Sequence, residues 1–247
     1  MQISFDQPAD FSSSIRQSLS EMARRTFAIC KQQFSSADDH IIPHCRFCLG
    51  HQEANTGNLA GIQISFSDAK SLLDQITTTP EKIERLIHHE MVHFFQSHLV
   101  GTEPFNYLPT WFHEGMAVAF SGQELIARKS HLDEDMENLG GSGAWDLFYL
   151  MDEYLGINCT EFPFDGLYGS WGALFIYTVT EQTSIFPNHA LYGADSYLHS
   201  RVSATECDKA LAIMRTAFDK GFDAALEQHT DKMPISEDDF RQFLASD

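Results

Sequence analysis

The segment His89-Glu90-Met91-Val92-His93 constrains this chain more than any other, because it is an H-E-x-x-H motif. Residues four apart on an α-helix lie on the same face, so His89 and His93 can point both imidazoles at one metal ion. Glu90 lies on a neighbouring face, where its carboxylate can take a proton from a metal-activated water without binding the metal. The motif therefore predicts a helix that carries half of a metal site and a general base.

The residues around the motif favour a helix that starts shortly before it. Thr79-Pro80 is typical of an N-cap followed by proline at the first helical position. An apolar stripe at helical spacing then follows one side, while the two histidines lie on another. The stripe consists of Ile83, Ile87, Met91 and Phe94. The pattern predicts a helix that is buried on one flank and faces a cleft with His89 and His93.

A catalytic zinc ion takes three protein ligands and keeps one position open, so a third ligand must come from another segment. A second short helix is predicted around residues 109–120, and it contains Glu114 and Gly115. A glycine inside a helix costs about 1 kcal/mol and usually marks a place where another backbone approaches closely. We therefore expect the second helix to contact the H-E-x-x-H helix at Gly115.

The H-E-x-x-H motif and the later W-x-x-E-G-x-A of residues 111–117 together resemble the gluzincin metallopeptidases of the peptidase MA type. The glutamate of the second motif is the third zinc ligand in that family. The resemblance therefore implies that His89, His93 and Glu114 bind one Zn²⁺ per chain. It implies a zinc-dependent peptidase, in which Glu90 is the general base that takes a proton from the water and passes it to the leaving amine.

The same resemblance implies two further roles. A tyrosine in the later helical part can donate a hydrogen bond to the oxyanion of the tetrahedral intermediate, and Tyr168 is the candidate ahead of Tyr177 and His189. Residues 61–65 would form an edge strand that pairs with the substrate backbone, although an ordinary sheet strand fits them equally well. The chain also departs from the family, since no carboxylate follows Glu114 by one turn to orient a ligand histidine.

Other histidines and cysteines have simpler interpretations. His88 and His113 neighbour the ligand candidates but point elsewhere on their helices, which predicts supporting or surface positions rather than ligation. Residues 41–49 alternate apolar and polar side chains and therefore predict a strand. Cys45 and Cys48 would point to opposite faces of that strand, where they cannot share a metal or form an unstrained disulfide.

The distribution of these patterns predicts an α+β fold, and the resemblance implies that it is of the zincin-like metallopeptidase type. Residues 1–122 would form an N-terminal α/β lobe that has a small sheet and carries the zinc helix and the third ligand. Residues 123–247 would form a mainly helical C-terminal lobe, because their apolar positions recur at helical spacing and no strand alternation stands out.

Composition limits the partners of the chain. Its formal net charge of −19 disfavours nucleic acid and anionic membranes as partners, and a basic or neutral peptide would fare better. The resemblance implies a peptide or protein substrate. No stretch approaches the roughly 18 apolar residues of a membrane-spanning helix, and the first residues lack the pattern of a signal peptide. With five cysteines, these features favour the cytoplasm. The sequence predicts no particular oligomeric state.

Two alternatives to a peptidase remain open at this point. A non-catalytic relative could keep the fold and the metal and act as a protein-interaction or regulatory module. A metal-free helical protein could also contain H-E-x-x-H by chance, since the motif is expected in roughly 4% of shuffled chains of this composition.

Overall fold

The computed structural model describes residues 1–35, 40–50, 54–123, 164–181 and 202–245. The chain divides into two compact units, Met1–Thr102 and Glu103–Asp247. The first unit combines helices with a four-stranded sheet, and the described elements of the second unit are helices. The predicted α+β class is thus confirmed in its coarse form, as a mostly helical chain with one small sheet. Glu114, which the sequence analysis grouped with residues 1–122, falls in the second unit.

The sheet of the first unit has the order β1-β2-β4-β3. Three strands are parallel: β1 (Gln2–Phe5), β2 (His44–Leu49) and β4 (Gly61–Phe66). The short β3 (Thr56–Asn58) runs antiparallel to β4 and forms one edge. The alternation predicted for β2 and β4 is present. It buries one face of the sheet, with the side chains of Cys45, Phe47, Ile62 and Ile64 at most 2% exposed.

Of the two interpretations of residues 61–65, the ordinary sheet strand is confirmed and the edge strand is wrong. These residues lie in β4, which pairs with β2 on one side and with β3 on the other. A turn at residues 59–60 reverses the chain before β4, so the three residues of β3 occupy the edge instead. Alternation predicts a strand, but it does not distinguish an edge strand from an interior one.

Three helices complete the first unit: α1 (Ser13–Gln33), α2 (Ala69–Thr78) and α3 (Pro80–Val100). The rings of Phe34, which follows α1, and Phe95 on α3 stack with centroids 5.1 Å apart. Arg25 on α1 donates two hydrogen bonds to the Glu84 carboxylate on α3, at 2.8 and 3.1 Å. Glu84 is only 3% exposed, so this bidentate pair gives a buried carboxylate a charged partner.

The motif helix α3 begins at Pro80, with Thr79 at the N-cap position as predicted, although the Thr79 side chain makes no capping hydrogen bond. The predicted apolar stripe is buried, and burial extends further around the helix than the pattern indicated. His89 and Glu90 are also buried, and His93 is partly exposed. The side of α3 that carries the motif is therefore mostly enclosed.

The described helices of the second unit are α4 (Thr110–Ser121), α5 (Phe164–Val179), α6 (Ala204–Lys220), α7 (Phe222–His229) and α8 (Glu237–Ala245). A Cβ added at Gly115 on α4 would clash with the backbone carbonyl oxygen of Trp171 on α5. The close approach expected at Gly115 is therefore real, but its partner is α5. Phe112 and Phe175 pack beside it with ring centroids 5.3 Å apart.

The later helices follow the sequence pattern. α6 starts with a capping box, in which the Ser203 and Glu206 side chains each accept from the other residue's backbone N–H. The acidic and aromatic-rich segments of residues 124–163 lie outside the described residues. Among the helices that the structure describes, none is both long enough and apolar enough to cross a membrane.

Candidate metal centre

Helix α3 brings the imidazoles of His89 and His93 together. Their Nε2 atoms lie 3.1 Å apart, and the ring planes meet at 76°. Two nitrogens at the usual Zn–N distance in a tetrahedral site are separated by about 3.3 Å. The two rings are thus already spaced as neighbouring ligands of one tetrahedral ion.

A hydrogen bond to Gln96 determines which nitrogen of His93 carries the proton. His93 Nδ1 lies 2.8 Å from Gln96 Oε1, and an amide oxygen can only accept. Nδ1 is therefore the donor, and the neutral ring keeps a lone pair on Nε2, the atom that faces His89. Gln96 was not among the residues predicted for the site, although residues three apart on a helix are neighbours and that spacing was a usable signal.

Glu114 joins the two histidines. Each residue offers one ligand atom, and the three atoms all lie within 4.8 Å of one another, so this group could hold a metal ion. Glu114 is partly exposed on α4, and its Oε1 lies 3.6 Å from Nδ1 of the preceding His113. The three predicted ligands are therefore brought together, in a set of two imidazoles and one carboxylate.

Glu90 follows His89 on α3 and is 7% exposed. Its backbone is in very close contact with the edge strand, because a Cβ added at Gly57 on β3 would clash with the Glu90 carbonyl oxygen. Glu90 is not part of the metal-binding group found among the described residues. Glu90 therefore adjoins a candidate ligand, His89, in the same helix and is itself outside the ligand group.

His88 points away from this group into the core. Its Nε2 lies 2.9 Å from Oε1 of Gln33 on α1, to which it donates. Burial, with a smaller contribution from His89, lowers the pKa of His88 to about 3. His88 is therefore neutral near pH 7 and belongs to the packing of α3 against α1.

The candidate oxyanion donor is only partly described. Tyr168 lies on α5, but its side chain is outside the described residues, as is His189. Tyr177 on the same helix is buried against the rings of Phe240 and Phe243, each with centroids 5.4 Å from its own. Tyr177 therefore packs in the core of the second unit, and Tyr168 remains the candidate for the oxyanion donor.

Comparison with known proteins gives no relative for this chain. No protein-family model, curated protein or solved structure matches it. Its function must be argued from the chemistry of the His89, His93 and Glu114 group.

Proposed function

We propose that this chain is a zinc-dependent peptidase of the gluzincin type, with His89, His93 and Glu114 as metal ligands and Glu90 as general base. One observation carries the proposal. The Nε2 atoms of the two motif histidines face each other at 3.1 Å, and the Glu114 carboxylate belongs to the same group. A hydrolytic zinc site formed by the two sequence motifs would need both features, the paired imidazoles and the nearby carboxylate.

The chemistry of the ligand set supports zinc as the metal. Imidazole nitrogens suit Zn²⁺, whereas Ca²⁺ and Mg²⁺ prefer ligand sets made of oxygen. Structural zinc sites use four protein ligands, but the group among the described residues has three. Two histidines and one glutamate match the catalytic type, which keeps a position for water or substrate.

The roles of the chain's own residues follow from their positions. A zinc ion bound here would activate a water molecule and polarise the carbonyl of a peptide bond. Glu90 accepts the proton that the attacking water loses and passes it to the departing amine. Because Glu90 and both histidines lie on one helix, their mutual arrangement is set by a rigid element rather than by a loop.

The sheet supplies a second argument for a peptide substrate. The edge strand is β3 rather than residues 61–65, and Gly57 of β3 lies against the backbone of Glu90. An extended peptide that pairs with such an edge strand would lie beside the general base. From the resemblance of the two motifs to the gluzincins we also propose a zincin-like fold, with Tyr168 as the oxyanion donor.

The test is the Glu90→Gln variant, assayed on unfolded protein substrates by mass spectrometry of the products. General acid–base catalysis contributes about 10²- to 10⁴-fold, so the rate should fall at least about 100-fold while zinc stays near one ion per chain. The matched control is Glu84→Gln, which changes a buried glutamate on the same helix that pairs with Arg25. It should retain the rate at temperatures where it is folded.

Two results would contradict the proposal. Full activity in Glu90→Gln would remove Glu90 as the base. A parent protein that binds zinc but cleaves no unfolded substrate would instead favour the non-catalytic, protein-interacting alternative.

A further inference from the structure

The side chain of Gln96 combines two features that a surface glutamine lacks. It is 0% exposed, and its Oε1 accepts the hydrogen bond from His93 Nδ1 at 2.8 Å. Gln96 lies three residues after His93 on α3, so both side chains are held by the same helix. The interaction is thus a buried contact in a fixed geometry.

This contact selects which ring nitrogen of His93 is free to bind a metal. A neutral imidazole carries its proton on either ring nitrogen, and only the other nitrogen has the lone pair that a metal needs. An acceptor opposite Nδ1 selects the form in which Nε2 is free of a proton. Nε2 of His93 is also the atom that faces His89.

We propose that Gln96 is the positioning residue for His93, and that it takes the place of the carboxylate that the sequence does not provide after Glu114. The inference rests on the proposed function, because it assigns Gln96 a role toward the same zinc ion. Partners of this kind fix the form and the orientation of a ligand histidine, and their loss typically weakens metal binding 10- to 100-fold.

The amide of Gln96 differs from a carboxylate in one respect that matters chemically. A carboxylate that accepts from Nδ1–H makes the imidazole a stronger electron donor, whereas a neutral amide does so less. Gln96 thus fixes the ring without adding a negative charge beside the ligands. The Gln96→Glu variant should therefore bind zinc at least as tightly as the parent.

The chain contains its own matched control. Gln33 on α1 is also a buried glutamine that accepts from a histidine of α3, since its Oε1 lies 2.9 Å from His88 Nε2. His88 is not in the metal-binding group among the described residues. Removal of either glutamine breaks one buried His–Gln hydrogen bond, but only Gln96 is hydrogen-bonded to a proposed zinc ligand, His93.

The first experiment measures zinc affinity by competition with a chromophoric chelator. Gln96→Met should bind zinc about 10- to 100-fold more weakly than the parent, and Gln33→Met should stay within about twofold. Gln96→Glu should keep or exceed the parent's affinity. Parent-like affinity in Gln96→Met would overturn the proposal. An equal loss in Gln33→Met would also overturn it, because the effect would then come from general loosening of α3.

The second experiment reads the proton position directly, by ¹⁵N NMR of the histidine rings in the metal-free protein. His93 should carry its proton on Nδ1 in the parent and in Gln96→Glu, and should shift toward the Nε2–H form in Gln96→Met. A parent in which His93 is protonated on Nε2 would overturn the proposal even if Gln96→Met did not fold. A parent that binds no zinc would contradict the proposed function, whereas the NMR result would still decide what Gln96 does.

Discussion

Three histidines of α3 lie within six residues and have different environments. His88 is enclosed against Gln33 of α1, while His89 and His93 face each other. Helical geometry explains the difference, because residues four apart share a face and the neighbouring residue is rotated away by about 100°. The motif spacing was therefore sufficient to predict which histidines pair. It also favoured a supporting or surface position for His88 over ligation.

Gln96 marks the limit of residue-scale prediction. A glutamine in a helix is most often a solvent-exposed residue, and its letter does not tell whether it is buried. The family pattern instead places the group that orients a ligand histidine, a carboxylate, one turn after Glu114, in a different helix. Only the packing around α3 shows that Gln96 is fully enclosed and bonded to His93.

Cys45 gives a prediction for the buried face of the sheet. It is a free, buried cysteine in the middle of the sheet, and burial raises the pKa of its thiol to about 12. Alkylating reagents attack the thiolate, so Cys45 should resist iodoacetamide at pH 8 in the native protein and react after unfolding in urea. Mass spectrometry of the labelled peptides measures this. Rapid labelling of Cys45 in the native protein would show that β2 is not enclosed as described.

At the scale of elements, the contact between β3 and α3 lies at the backbone of Glu90, the proposed general base. A methyl group at residue 57 would meet the Glu90 carbonyl oxygen, so β3 or α3 must move in the Gly57→Ala variant. Displacement of a catalytic group by about 1 Å can reduce the rate about 100-fold. We expect Gly57→Ala to lose about 10- to 100-fold in peptidase rate and to retain zinc, as measured by kinetics and elemental analysis.

Gly50→Ala is the control for this variant. Gly50 has φ +71° and no atom within 4 Å of an added Cβ, so alanine there adds backbone strain without a clash. It should cost some stability and leave the rate unchanged. If Gly57→Ala kept the full rate, the close approach of β3 would have no bearing on Glu90.

Sequence patterns predicted the longer elements better than the short ones. The helical period of α3 and the alternation of β2 and β4 extend over enough residues to stand out. The sequence patterns did not predict β1, which has four residues, or α2. α2 had a usable signal, since Asp68 caps it by accepting from the backbone N–H groups of Lys70 and Ser71.

At the scale of the whole molecule, the division into units follows packing rather than motifs. The first unit ends at Thr102, just after Gly101 ends α3 with a positive φ of 82°. A glycine at a helix C-terminus is a recognised stop signal, so this boundary had a local mark in the sequence. The two motifs alone predict a lobe boundary after residue 122, because residues 1–122 contain both of them. Which residues pack together depends on contacts distant in sequence, and the motifs do not encode those contacts.

The proposed function depends on one zinc ion held by His89, His93 and Glu114. The most direct measurement is elemental analysis of the protein purified without added metal and without a metal-binding tag. We expect about one zinc per chain in the parent and in His98→Ala, which removes a histidine of α3 that bonds to the Phe94 carbonyl instead. We expect the zinc content to fall sharply in His93→Ala and Glu114→Ala. A parent protein without zinc, or a Glu114→Ala variant with undiminished zinc content, would contradict the claim.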